Sequence, residues 1–214
     1  ISADSKESLR KNEQALLEYI QNSPEVELSQ VSYTLACRRN AYKHRHSYSC
    51  SSIKELAELL NKESDSSLVA GDFDIAFMFP GQGSQFVGMS VELYNKGGVF
   101  KEELDRLMTL FQAHLAIDLC SILWGQDKTK NINDTIYAQP LLFIIEYALG
   151  KQLIAWGVEP NIMIGHSIGE FAAFCLAGMI SVEDAVILVS ERASLMHAIN
   201  KGKMYSVHSE EEVI

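Results

Sequence analysis

No apolar run in this chain reaches the roughly 18 residues that a membrane-spanning helix requires. The longest, Pro140 to Tyr147, is interrupted by Glu146. The first ten residues, Ile1 to Arg10, are polar and charged, which excludes a secretory signal peptide there. Positive charge is scarce: 18 Lys and Arg stand against 28 Asp and Glu, a net charge of −10. Domains that track phosphate backbones carry the opposite balance, so nucleic acid is not an expected partner. The one basic stretch, Arg38, Arg39, Lys43, His44, Arg45 and His46, reads as a solvated strand edge. Cysteine is also sparse. Cys37, Cys50, Cys120 and Cys175 show no CxxC spacing and read as reduced thiols of a cytoplasmic protein. Neither the scattered six histidines nor any HExxH motif points to a metal site.

What is present is a core. Apolar residues make up 47% of 214 positions, enough for one medium domain or a small and a medium one. A chain opening on Ile1, with no methionine, is expected to be a segment of something longer. The first 70 residues read as a small unit. Asp4 with Glu7 is expected to cap a helix carrying Leu9, Leu16, Leu17 and Ile20, ended by Asn22-Ser23-Pro24. Leu28, Val31 and Leu35 mark a second helix, and "HRHSYSC" (44–50) a half-exposed strand. Ser52 and Glu55 form a capping box for a third helix with Ile53, Leu56, Leu59 and Leu60. The polar run 61–67 reads as a linker.

After Gly71 the texture changes. "FDIAFMF" (73–79) has the length and continuity of a strand buried on both faces, as in a parallel sheet. A glycine-rich loop follows, then helical spacing at Leu104, Leu107, Met108 and Phe111. Pro140 is placed as the first residue of a helix through about Ala155. "NIMIG" reads as a second buried strand, and Phe171 to Leu176 as its helix, stopped by Gly178. Ser181 and Asp184 cap a further helix through about Asn200, with Gly202 as its stop. "MYSV" and "SEEEV" begin another strand and helix. Strand alternating with helix predicts an α/β fold with a parallel sheet.

Gly165-His166-Ser167-Ile168-Gly169 fits G-x-S-x-G, the elbow that lifts a nucleophilic serine off the end of a strand. Glycines flank the serine because a Cβ there would collide with the neighbouring strand or helix. The N–H of Ile168, at the helix start, faces a developing oxyanion; the loop after the first strand offers a second donor in the N–H of Gln82. The alternative for that loop is a phosphate cradle. It lacks Gly-Lys-Ser/Thr, and its glycines at 81, 83 and 88 miss the G-x-G-x-x-G register. On the residues alone, Arg192 also reads as a surface arginine beside Glu191.

Together "FMFPGQGSQFVGM", "GHSIGE" and "ERASLM" resemble the acyltransferase domain of modular polyketide synthases and, more broadly, malonyl-CoA:acyl-carrier-protein transacylases. "ISADSKESLR", "YTLACRR" and "HRHSYSCSS" resemble the linker between ketosynthase and acyltransferase, which stand-alone transacylases lack. The resemblance covers nearly the whole chain. It implies a linker domain over 1–70, then the N-terminal part of a hydrolase-like α/β acyltransferase core over 71–214, with a ferredoxin-like insertion opening near 203. It implies Ser167 as nucleophile, the N–H groups of Gln82 and Ile168 as oxyanion hole, and Arg192 as partner of the substrate carboxylate. His166 and Gln139 would line the substrate site. "DTIYAQP" (134–140) and Ile168 resemble the malonyl-type pattern.

A serine needs a base. In the family resembled it is a histidine well downstream, whereas 47 residues follow Ser167 here. His197 and His208 match no family motif, so the chain alone is expected to be inactive. The resemblance implies no bound cofactor. The substrates would be malonyl-CoA and the phosphopantetheine thiol of an acyl carrier protein, the partners that carrier and an adjacent ketosynthase. Two other readings stay open: a serine esterase or thioesterase of α/β type, and a non-catalytic linker or docking piece.

Overall fold

The computed structural model describes residues 1–62, 67–68 and 73–199. The polar run at 61–67 falls largely outside these residues. The stop at Gly202, the "MYSV" strand, the "SEEEV" helix, His208 and the insertion expected near 203 lie outside them altogether. The chain divides into two compact units, Ile1–Phe73 and Asp74–Ile214.

The first unit runs β1 (Ser2–Ala3), α1 (Lys6–Asn22), α2 (Leu28–Cys37), β2 (His44–Arg45), α3 (Ile53–Leu60) and β3 (Ser67–Leu68). The strands form an antiparallel sheet in the order β1-β2-β3. Leu17, Ile20, Val31, Leu56 and Leu60 form its core. The cap of α1 differs from expectation. Ser5, not Asp4, sits at the N-cap and accepts the N–H of Ser8 at 3.1 Å. Ser52 caps α3 as read, but Glu55 turns its carboxylate to Ser51 rather than closing the box on Ser52. The expected strand over 44–50 shrinks to His44–Arg45. His46 still exchanges backbone bonds with Ile1, at 2.9 and 2.8 Å, while the side chains of His46 and Tyr48 turn to Glu13, at 3.0 and 2.8 Å.

The second unit runs β4 (Ala76–Phe79), α4 (Val91–Lys96), α5 (Val99–Leu115), α6 (Leu119–Leu123), α7 (Thr135–Ala155), β5 (Ile162–Gly165), α8 (Gly169–Leu176) and α9 (Val182–Ala198). β4 and β5 pair in parallel, with Ala76 opposite Ile162 and Phe79 opposite Gly165. One face of this sheet is covered, by way of Phe77 and Phe79. The other is open among the described residues: Met78 is 76% exposed and Ile162 60%. Burial on both faces, expected from the continuous apolar runs, is thus corrected.

At the centre lies α7, in contact with α5, α8 and α9. It is apolar on nearly every side, as a helix surrounded by other helices must be. Pro140 does not open it. The helix starts at Thr135, after Asp134, whose carbonyl accepts the N–H groups of Tyr137 and Ala138 at 2.9 Å each. Pro140 therefore sits inside the helix and leaves one helical bond unmade. Burial of Leu141, Leu142, Phe143 and Ile144 around it outweighs that loss.

The same helix buries a carboxyl. Among the described residues Glu146 has no hydrogen-bond partner on either oxygen, and loss of solvent pushes its pKa up to about 8. A raised carboxyl pKa favours the fold below the unfolded value, and that contribution is lost as pH rises through the folded one. Glu146→Gln should therefore gain stability over wild type as pH climbs from about 4.5 to about 8. The gain should approach about 1.4 kcal/mol per pH unit and level off above pH 8. Urea denaturation of both proteins across that range measures it; a constant difference would contradict the buried, protonated state.

Candidate active site

β5 ends at Gly165 and α8 begins at Gly169, so three residues turn the chain. Ser167 takes a left-handed backbone, φ +56°, which non-glycine residues adopt only when the surroundings impose it. Those surroundings are visible. A Cβ on Gly165 would run into the backbone of Glu170, and one on Gly169 into the carbonyl of Phe79. The Phe79 carbonyl also accepts the N–H of His166 at 2.9 Å, tying the turn to the end of β4. Ser167 stands exposed at the C-terminal end of the sheet, while Ile168 behind it is buried.

Arg192 reaches the serine from α9, donating from Nη2 to Ser167 Oγ at 2.9 Å. Its Nη1 donates to Oε1 of Gln139 on α7. Gln139 is only 1% exposed, and its Nε2 lies 3.3 Å from Met196 Sδ. Three elements therefore converge on one guanidinium. It is half-buried and bonded, not the surface arginine that its sequence neighbours alone allowed.

The loop after β4 lies beside the turn. Gly81 packs so closely on His166 that a Cβ would strike Nδ1 of its ring. Gln82 is exposed, and its amide reaches Thr135 Oγ1 at 3.3 Å and the Asn133 carbonyl at 3.5 Å. Gln85 is buried and bridges Gly83 and Asn133. Sequence reading did not single out Gln85, Asn133 or Thr135. Gln85 lies 48 residues before Asn133 along the chain, and only the fold brings them together. His197 is exposed at the end of α9. Among the described residues, the side-chain hydrogen bond to Ser167 Oγ comes from Arg192.

The Cys175 thiol, on the same helix α8, is pushed up to about 11 by burial, so at neutral pH it is not a competing thiolate. Among the described residues no group of three or more His, Cys, Asp or Glu could hold a metal ion. No helix there is long and apolar enough to cross a membrane. An exposed hydroxyl at a helix start beside a guanidinium can attack a carbonyl carbon and hold an anionic acyl group in one place.

Known proteins are similar to this chain in sequence and in fold. The family described as "Acyl transferase domain" matches residues 76–214, and the one described as "CurL-like, PKS C-terminal" matches residues 1–60. A non-reducing polyketide synthase of Cladonia grayi is 34% identical over the whole of this chain, which spans 11% of that protein. Mycoketide-CoA synthase of Mycobacterium tuberculosis is 35% identical, again over the whole chain and 5% of its own length. The acyl transferase domain of ZmaA superposes with a TM-score of 0.87 at 35% identity, over 94% of this chain and 49% of that domain. The acyl transferase domain of SpnD, solved with 2-(pent-4-yn-1-yl)malonyl, gives 0.80 at 34% identity, over 91% and 47%. The chain thus spans about half the length of these solved domains. It belongs to the acyl transferase domain family.

The glycine contacts generate a test of the turn. Gly169→Ala pushes a methyl into fixed backbone at Phe79 and should cost about 3 kcal/mol. Gly150→Ala on α7 meets only the flexible end of Leu176, and a helix-propensity gain of about 1 kcal/mol offsets the strain. Thermal or urea unfolding of both variants should show a large loss for the first and little change for the second.

Proposed function

We propose that this chain is acyltransferase sequence of a polyketide synthase, and that Ser167 carries a malonyl-type acyl group as an ester between coenzyme A and a carrier-protein thiol. The observation that carries this reading is the Arg192 guanidinium held between Ser167 Oγ and Gln139. A guanidinium beside a nucleophile is ill suited to a plain acyl chain and well suited to one ending in a carboxylate, which it binds through two parallel N–H groups.

The reaction runs in two halves. Ser167 Oγ attacks the thioester carbon of malonyl-CoA and its proton goes to a base. The oxyanion that forms faces the N–H groups of Ile168 and Gln82, and the C–S bond breaks as the coenzyme A sulfur takes up the proton. The phosphopantetheine thiol of an acyl carrier protein then attacks the seryl ester, loses its proton to the same base, and frees the serine. Arg192 holds the distal carboxylate through both halves, and a substrate carboxylate replaces Ser167 Oγ as partner of Nη2. We assign the base to a histidine outside the described residues. His166 flanks the acyl pocket against Gly81. Gln139 was expected to line the substrate site; its burial supports a different part, fixing Arg192 rather than touching substrate.

Residues 1–70 are proposed as the linker that follows a ketosynthase, in keeping with the match over 1–60. The partners are then an acyl carrier protein and an adjacent ketosynthase, in the cytoplasm. Coenzyme A and phosphopantetheine enter as substrate and acceptor, not as resident cofactors.

The test uses the full protein that carries these 214 residues, incubated with radiolabelled malonyl-CoA or acetyl-CoA. Ser167→Ala should abolish acyl loading. Arg192→Ala should lower malonyl loading about 100-fold, the loss of a charge-assisted pair, while leaving acetyl loading the same or higher. An unchanged malonyl preference would overturn the role of Arg192. Release of free malonate with no transfer to a thiol would point instead to a hydrolase.

A further inference from the structure

We infer that Gln85 is a positioning residue that sets the oxyanion loop and couples it to the arginine that holds the substrate carboxylate. This rests on the acyltransferase reading for its chemistry, though not for its geometry.

Within the loop after β4, Gln82, Gly83, Ser84, Phe86 and Val87 are all exposed. A loop whose side chains are mostly turned to solvent buries little of its own to hold one backbone conformation. Yet an oxyanion donor contributes only if its N–H already points at the developing charge. Gln85 supplies the missing constraint. It is 8% exposed, and both ends of its amide are used. Oε1 accepts the N–H of Gly83, the residue after the proposed donor, at 2.8 Å. Nε2 donates to Asn133 Oδ1, also at 2.8 Å. Gly83 has φ +127°, a conformation that glycine tolerates and that a bond to its N–H stabilises against alternatives.

The residue type follows from this geometry. The position needs one acceptor and one donor on a short planar group, which an amide provides. A leucine fills the space and offers neither. An asparagine is one methylene shorter and cannot span both partners.

The far end of the tether matters as much. Asn133 directly precedes Asp134, the cap of α7, and its own N–H is held by Asn131 Oδ1 at 3.1 Å. Gln82 adds its side chain to the same place through Thr135, the first residue of α7. Four residues on, Gln139 holds Arg192. Side-chain hydrogen bonds at either end, with the first turn of α7 between them, therefore join the loop of one proposed oxyanion donor to the guanidinium that meets Ser167. The substrate is held at its carboxylate and its reacting carbonyl by groups referred to the same helix terminus.

The experiment has two readouts on Gln85→Leu and, from the exposed end of the same bond, Asn133→Ala. The first is hydrogen–deuterium exchange of the loop over 81–88 in the 214-residue chain, which needs no activity. Both variants should exchange faster than wild type in that loop and unchanged in α5. Unchanged loop exchange overturns the tether. The second is acyl loading from malonyl-CoA by the full protein that carries the chain. The rate constant should fall about 30-fold to 100-fold, as for a misaligned oxyanion donor, with KM and the malonyl-to-acetyl ratio held. Gln85→Asn should fall as Gln85→Leu does. Should Gln85→Leu not fold, Asn133→Ala decides alone. Faster exchange with an unaltered loading rate would overturn the positioning role. Faster loop exchange in the variants, together with a wild-type full protein that loads no malonyl, would instead overturn the acyltransferase reading and leave the tether standing.

Discussion

The second unit depends on one close approach, that of the start of α8 to the last residue of β4. Gly169 lies so near the Phe79 carbonyl that no side chain fits between them. The same carbonyl accepts the N–H of His166. Strand and helix are thereby locked at an angle that the intervening chain can meet only if Ser167 goes left-handed. Backbone strain of this kind costs of order 1–3 kcal/mol and persists because its neighbours over-determine it. The return is an exposed hydroxyl with helix N–H groups behind it. Without those two glycines the serine would belong to an ordinary helix start, and Arg192 would have nothing to meet.

Helix α7 converts that local geometry into a site. Surrounded by α5, α8 and α9, it cannot shift without disturbing the largest cluster of buried residues in the chain. Its first turns carry Thr135 and Gln139, which address the loop after β4 and Arg192. Its rigidity comes at some cost, in an internal proline and in a buried carboxyl with no partner. Both are departures from what stability alone would choose. A helix held this firmly can carry side chains whose placement matters to tenths of an ångström.

Much of this was legible in the residues. Helix caps at Ser52 and Ser181, the glycine stop at Gly178, the two strands and the turn around Ser167 follow from local chemistry. Local rules read them because each is decided within four or five residues. What escaped was decided at a distance. Pro140 looks like a helix start until the packing around Leu141 to Ile144 is known. The runs 73–79 and 161–165 are continuous in apolar residues, which signals two covered faces, yet one face is open among the described residues. The short helices α4 and α6 carry too few turns for a periodic pattern to emerge. Gln85 and Asn133 meet across 48 residues of chain, and neither carries a local sign of the other. Arg192 shows the limit best. Its surroundings in sequence describe a surface residue, and only a family resemblance raised it above that.

The placement of Arg192 also explains why Ser167 and the guanidinium that meets it lie only 25 residues apart in the chain. Ser167 opens α8, and Arg192 sits on α9, the next helix in the chain. Both helices pack on α7, and a turn closed by Gly178 and Ser181 joins them. The distance between hydroxyl and guanidinium is therefore set by the packing of three consecutive elements and not by a distant loop. The proposed malonyl substrate is short, so its carbonyl and carboxylate must be held at a fixed separation. Reaching that separation through adjacent helices on a shared rigid partner limits the error that thermal motion adds. The same economy makes the loop after β4 the weak member. It arrives from β4, which ends 88 residues before Ser167, and its backbone meets a helix at its far end, where the Gly88 N–H donates to the Leu123 carbonyl. A buried amide that ties it to the start of α7 is the smallest addition that brings it into the same frame.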